Sequence, residues 1–318
     1  MMMRLPLMRV YIFLFSTLFL ISSCEEPFIP ENLQQEPQIV VEGFIEAGDG
    51  ANPAYLVLTK TLPFLSSISS ETLNNNYISG AKVTLSDGSK TINLSELCFK
   101  DLPPALKVEA AKILGFNVSA NNFIPNVCFY ADLNFAMPGQ AGKTYQIEIL
   151  TEGKKITAST TIPIPVPLDS LKFIPNAGAN QDSFLLLTSK LSDPIAQQNF
   201  YRYQVKMGDG PFITPGGGSL FDDRLFNGQN FRLNLPRPGG DGESFNISTF
   251  GLYPVGKETT IRWVNMDQSL FDFWNTLEFS INNQGPFSTY TRVKTNVKGA
   301  LGVWGGLYAK NYTLTVKK

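Results

Sequence analysis

The chain of 318 residues carries 26 Lys and Arg against 27 Asp and Glu, a net charge of −1, and has no histidine. Without a long basic run, that balance excludes an electrostatic footprint for nucleic acid. The missing imidazole excludes Ser-His-Asp and Cys-His nucleophilic sites and His-ligated zinc, because no other side chain titrates near neutrality without strong perturbation.

The first 23 residues read as an export leader. Arg4 and Arg9 supply positive charge, no acidic residue precedes Glu25, and Val10 to Ile21 is an apolar core. As a helix that core rises about 18 Å, too short for roughly 30 Å of hydrocarbon, which favours a signal peptide over a membrane anchor. Ile21-Ser22-Ser23-Cys24 resembles the bacterial lipobox, in which the cysteine thiol takes a diacylglycerol, gains a further acyl chain such as palmitate and becomes the new N-terminus. The plain alternative is a secreted protein whose first cysteine falls near the cleavage point. Glu25 and Glu26 look like the acidic export signal of Bacteroidota lipoproteins bound for the outer leaflet of the outer membrane. The competing reading is a solvated tether over 24–36, which is polar and proline-broken. Losing Arg4 and Arg9 with the leader makes the mature chain slightly more acidic, and no later stretch is apolar for long enough to span a bilayer.

Next come segments of period two, as in half-buried strands: 38–45, 54–61, 81–88, 144–151 and 155–162, the last two joined by a Glu152-Gly153-Lys154 turn. They predict an N-terminal β-sandwich over 37–165. Pro163, Pro165 and Pro167 then rule out a central strand and set a domain boundary. Segments 168–174, 183–190, 199–207, 259–266, 291–297 and 311–317 predict a second sandwich over 166–318. Long loops are expected in 208–258, which holds 11 Gly and 5 Pro. The fold class is therefore mainly β: two consecutive sandwiches of the Ig-like or transthyretin-like kind, with two short helices.

The first helix is predicted within 103–115, inside a helical excursion spanning 99–127. It has starting prolines, a stripe of Leu106, Ala110, Ile113 and Leu114, and a Gly115 stop. The second spans 267–279, with Asp267 as N-cap and Leu270, Phe271, Trp274 and Leu277 on one face, packed on its own sheet. Cys98 and Cys128 flank the excursion; in an oxidising compartment they pair, and otherwise they are two buried thiols.

A lipobox followed by "IVVEGFI", "VLTKT", "SGAKVTLSDG" and "AGKTYQIEI", then "NQGPFS" and "TNVKGALGVWGG", resembles the Bacteroidota lipoproteins grouped as domain of unknown function 4249. The most specific piece is the closing pattern Asn296, Gly299, Gly302, Trp304, Gly305 and Gly306, with Ala300 where a second glycine is usual. The resemblance implies an outer-membrane lipoprotein without established enzymatic activity, partnered with a TonB-dependent transporter. Asp169-Ser170-Leu171 also looks like a short O-glycosylation acceptor of that phylum.

From the residues themselves, "KGALGVWGG" reads as a glycine-rich turn delivering one aromatic, either to plug a sandwich end or to meet a partner. It is no phosphate loop, since no Lys-Ser/Thr and helix follow. Asp241 and Glu243, in a Gly-rich stretch, are too few oxygen ligands for calcium, and no cofactor or metal is expected. Three functions stay open beside the accessory lipoprotein. One is direct capture of a glycan or peptide, with Trp263, Trp304, Tyr253 and Tyr308 as stacking candidates. Another is a structural part of outer-membrane assembly or secretion machinery. The last is an Asp/Glu glycoside hydrolase, whose paired carboxylates need no imidazole.

Overall fold

The computed structural model describes residues 36–62, 69–114, 127–176, 178, 182–195, 197–216, 219–239, 245–283 and 291–318. Cys24, Glu25, Glu26, Asp241, Glu243 and most of "NQGPFS" lie outside the described residues. The chain is mainly β, as expected. The first strands, β1 (Ile39–Gly48) and β2 (Tyr55–Lys60), precede a single helical turn, α1 (Ser70–Asn74), capped by the Ser69 hydroxyl. There follow β3 (Lys82–Ser86), β4 (Thr91–Asn93), β5 (Ser95–Cys98), helix α2 (Pro104–Ile113) and β6 (Cys128–Ala131). Next are β7 (Thr144–Thr151), β8 (Lys154–Thr161), β9 (Ser170–Pro175), β10 (Phe184–Ser192), β11 (Phe200–Met207) and β12 (Leu220–Asp222). The last are β13 (Asn230–Asn234), β14 (Tyr253–Pro254), β15 (Glu258–Met266), helix α3 (Gln268–Asn282) and β16 (Leu301–Thr315).

Three sheets form. The central one has eight strands in the order β12-β11-β15-β16-β1-β2-β6-β5. One of its faces is covered by two four-stranded sheets side by side. Over the N-terminal half lies β4-β3-β7-β8, enclosing a core of Val41, Ile45, Leu56, Leu85, Ile147 and Trp304, among others. Over the other half lies β10 with β13 and β14 on one edge and β9 on the other, around Leu187, Tyr201, Trp263, Tyr253 and Ile261. Even-numbered residues of β16 serve both cores, Trp304 and Tyr308 the first and Tyr312 the second, which Val316 just beyond the strand also joins. Odd-numbered Val303, Leu307 and Ala309 face the opposite side, where α2 and α3 pack. This is the period-two alternation of a strand buried on both faces.

The two expected sandwiches thus share one sheet, and the boundary at 165/166 is not a break between separate bodies. Strand β1 pairs in parallel with β16, Val40 opposite Leu301 through Gly48 opposite Ala309, while the far end of β16 pairs antiparallel with β15. The described residues from Pro37 onward accordingly group as one unit. The prolines at 163–167 carry the chain from one covering sheet to the other, which looks like a linker in sequence but crosses no gap in the central sheet.

The glycine-rich segment also differs from its expected form. Lys298 bridges Thr157 and only Gly299 and Ala300 bend; from Leu301 the segment is strand, continuous with 311–315, whereas 291–297 forms no strand. A glycine inside a strand marks a close approach of another backbone or layer. Gly302 sits at φ +101, and a Cβ there would lie 1.9 Å from the Val41 carbonyl oxygen. A Cβ on Gly305 would lie 2.7 Å from Leu270 of α3, and one on Gly306 2.9 Å from Thr160 of β8. The glycines therefore set the spacing of β16 against β1 in the sheet and against the layers above and below it.

Helix α3 starts as predicted: Asp267 is extended, and its carboxylate accepts from the Leu270 N–H at 3.2 Å. It packs on the shared sheet, with Phe271 against Phe200 of β11 and Trp274 against Phe44 of β1. Helix α2 keeps Ala110, Ile113 and Leu114 of its predicted stripe against the core and departs from it at Leu106. Ala110 and Ala111 are buried, but Leu106 is exposed, because the helix approaches the sheet through its small residues, with Tyr55 donating to the Ile113 carbonyl. Cys98 and Cys128 stand directly opposite each other on β5 and β6 and form a disulfide. It closes a loop of 30 residues, a constraint worth about 3–4 kcal/mol in the chain-entropy view. The region expected to be long loops also contains the short strands β12, β13 and β14.

If the glycines and Trp304 set the layer spacing, substitutions there act on stability. Trp304→Ala, which empties a fully buried site, is expected to cost about 3–5 kcal/mol in urea unfolding. Gly302→Ala, strained in φ and overlapping Val41, is expected to cost more than about 2 kcal/mol. A near-neutral result for both would place the β1–β16 contact outside the folded core.

Candidate functional site

Of the four aromatics predicted to stack on a ligand, three are core. Trp263 is fully buried, its ring 5.1 Å from Tyr201 and 5.5 Å from Phe221, and its Nε1–H donates to the Val166 carbonyl at 2.9 Å. Tyr253 is fully buried, lies edge-on to Phe173 and donates its hydroxyl to the Leu235 carbonyl. Trp304 is fully buried and donates to the Tyr145 carbonyl at 3.2 Å. Tyr308 is half-buried beside the same core as Trp304. The residues lie in two different cores and make no stacking platform. Each buried ring has a polar tip that needs a partner, and each finds one in a backbone carbonyl, which is how the interior accommodates it.

The closing motif has a structural task. Asn296 donates its Nδ2 to the Trp304 carbonyl at 2.8 Å and accepts the Trp304 N–H at 3.0 Å, on the edge of β16 that β15 does not reach. One side-chain amide there replaces a neighbouring strand. A second bond from Nδ2 reaches the Ser159 carbonyl at 3.3 Å, tying the motif to β8. Trp304 itself has room because Gly43 stands opposite it in β1.

Open chemistry lies instead around α3. A cleft of about 390 Å³ at its N-terminal end is lined by Ser269, Asp272, Arg292, Val293, Lys294 and Thr295. Lys294 pairs with Asp272 at 3.1 Å, and its backbone N–H donates to Thr276 Oγ1 at 3.0 Å. On the sheet face beneath the helix, Arg202 lies 4.2 Å over the Trp274 ring and bonds Glu278 at 2.7 Å. Arg262 bonds Glu46 at 2.8 Å, joining β15 to β1 across β16, and Asn52 donates to the same carboxylate oxygen. The exposed cleft groups, Arg292, Lys294 and Thr295, suit a polar ligand or a partner's charged side chains, whereas the Arg262–Glu46 pair is largely buried and ties the sheet together. With no histidine in the chain, the Ser269 hydroxyl has no imidazole to activate it.

Two other clusters bear on chemistry. Glu96, Cys98 and Cys128 are close enough to share an ion, but sulfurs joined in a disulfide offer no thiolate. Asp193 and Asp223, which share Asn199 as a donor, are buried, so they do not supply the accessible carboxylates of glycoside hydrolysis.

Burial pushes the Asp267 carboxyl up to about 6, against the Thr160 hydroxyl and the backbone N–H groups that favour its charged form. A folded-state value above the unfolded one means that the native state holds the proton more tightly. Stability from this group is therefore full below about pH 4 and is lost as pH rises to about 6. Asp267→Asn keeps a capping oxygen without the charge. The variant is expected to gain on the wild type between pH 4 and 6 in urea unfolding and to hold a constant margin above. A margin independent of pH would contradict the assignment.

The family model described as Domain of unknown function (DUF4249) matches residues 25–312. No curated protein matches the chain. The match takes in the whole described body up to Tyr312, including the Asn296–Gly306 segment. The chain belongs to the family of domain of unknown function DUF4249.

Proposed function

We propose that this chain is a surface-exposed outer-membrane lipoprotein with a non-enzymatic accessory or binding role, held by its N-terminal lipid and docked on an outer-membrane β-barrel of the TonB-dependent transporter class. The observation that carries the reading is Cys24, which follows a short apolar leader and precedes Glu25-Glu26, one residue before the family match begins. Lipid at that thiol supplies the anchor: each buried methylene contributes about 0.8 kcal/mol, and more than one acyl chain makes attachment stable.

The body supports a docking role over a catalytic one. Its largest aromatics are spent on three cores, and two of its ion pairs, Arg202–Glu278 and Lys294–Asp272, tie α3 to its neighbours. The contacts it offers outward come from loops that carry exposed Ile195, Leu225, Phe245, Ile247 and Phe250. Sandwich loops are where such folds usually grip partners.

Protease shaving of intact cells, followed by affinity purification from the same detergent-solubilised membranes, tests the reading. The expected result is cleavage of the tagged protein on whole cells and stoichiometric recovery of a barrel protein. Cys24→Ala should lose metabolic acyl labelling and leave the membrane fraction. Protection from protease together with recovery of the chain alone would overturn the proposal and favour a periplasm-facing structural role.

A further inference from the structure

Where β10 and β12 end and β11 and β13 begin, two loops enclose an acidic pair. Asp193 is 7% exposed, Asn199 5% and Asp223 0%. Asp193 Oδ1 accepts from the Tyr201 hydroxyl at 2.7 Å and from Asn199 Nδ2 at 3.4 Å, and Oδ2 accepts from the Gly228 N–H at 3.1 Å. Asp223 Oδ2 accepts from the Asn199 N–H at 2.7 Å and from its Nδ2 at 3.1 Å. Asp223 Oδ1 has no hydrogen-bond partner although the residue is fully buried. Among the described residues neither carboxylate is ion-paired.

Buried charge of one sign persists only when it is neutralised by a proton, a cationic side chain or a metal ion. Five N–H and O–H contacts converge on three of the four carboxylate oxygens and leave only Asp223 Oδ1 without one. We propose that Asp193, Asn199 and Asp223 form a calcium site that fastens these two loops, with the unpartnered Asp223 Oδ1 as a ligand. The donor set is all oxygen, which selects a hard cation. Irregular loops and an enclosed position suit the adaptable coordination of Ca²⁺ better than the octahedral, hydrated shell of Mg²⁺. The Asn199 amide now turns Nδ2 to both carboxylates and to the Gln197 carbonyl, while its Oδ1 accepts from Gln197 Nε2 at 2.9 Å; a half-turn that presents Oδ1 to the ion gives up both Gln197 bonds and frees the Gln197 carbonyl as a further oxygen ligand. An ion there would hold the loop tips that carry the exposed Ile195 and Leu225.

The aromatic neighbours supply a probe. Tyr201 donates to Asp193 and stacks on Trp263, so a terbium ion in the site would be sensitised through them. The mature chain, stripped with a chelator at neutral pH, is titrated with Tb³⁺ and then with Ca²⁺ or Mg²⁺. The expected result is saturable sensitised emission that Ca²⁺ displaces and Mg²⁺ does not. Millimolar Ca²⁺ should also raise Tm by about 3 °C or more. Asp223→Asn and Asp193→Asn should each lose both responses, while Asp169→Asn, at an exposed carboxylate bonded to Ser192, should keep them. If one site variant fails to fold, the other carries the comparison. Wild type without emission or Tm shift, with Asp223→Asn more stable than wild type, would assign the charge to a bound proton and overturn the proposal. Equal responses in wild type and both site variants would mark ions on the surface only and would equally overturn it.

Discussion

The parallel pairing of β1 with β16 is the contact on which the rest of this fold depends. It joins segments about 260 residues apart and is parallel in a sheet whose other described pairs are antiparallel. Without it the eight-stranded sheet divides into two four-stranded halves, each with one covering sheet, and α3 would lose its contact with Phe44. The pairing is tight because β16 carries glycine where three neighbours press closest, and because Asn296 closes the strand edge left open beside Trp304. A contact so distant in sequence is costly to close and forms only when much of the rest is in place, which makes slow, cooperative folding the natural consequence.

That arrangement constrains how the molecule can act. Its largest aromatics fill the cores on both faces of the central sheet, leaving loops such as that of Phe245 and Phe250, and the cleft at the start of α3, to meet anything outside. Held by a lipid as proposed, such a body would suit docking and presentation. A calcium ion between the 193–199 and 222–229 loops would add rigidity where sheet hydrogen bonding stops. The DUF4249 family name carries no activity, so any mechanism must come from such surfaces.

Local features were legible in the sequence. Alternation placed β1, β2, β3, β7, β8, β10, β11 and β15 within a few residues, because half-buried strands impose period two on their own residues. Asp267 announced α3 because an N-cap is a local hydrogen bond. Non-local features were not legible. The three prolines after Thr161 looked like a domain boundary, yet whether a sheet continues across a linker depends on β16, some 140 residues on. The glycines of β16 imitated a turn, since glycine serves both left-handed turns and close packing and only the packed neighbour tells which. Trp263, Trp304 and Tyr253 looked available for stacking because sequence does not reveal that each polar tip has a carbonyl waiting inside. Asp193 and Asp223, 30 residues apart, gave no motif, and only the strand ends bring them together.

Differential scanning calorimetry of the mature chain tests most directly whether one shared sheet makes this a single cooperative body. A common sheet predicts one transition whose calorimetric and van't Hoff enthalpies agree. Two resolved transitions, or a calorimetric enthalpy near twice the van't Hoff value, would show two sandwiches that fold independently and would contradict the central role of the β1–β16 pairing.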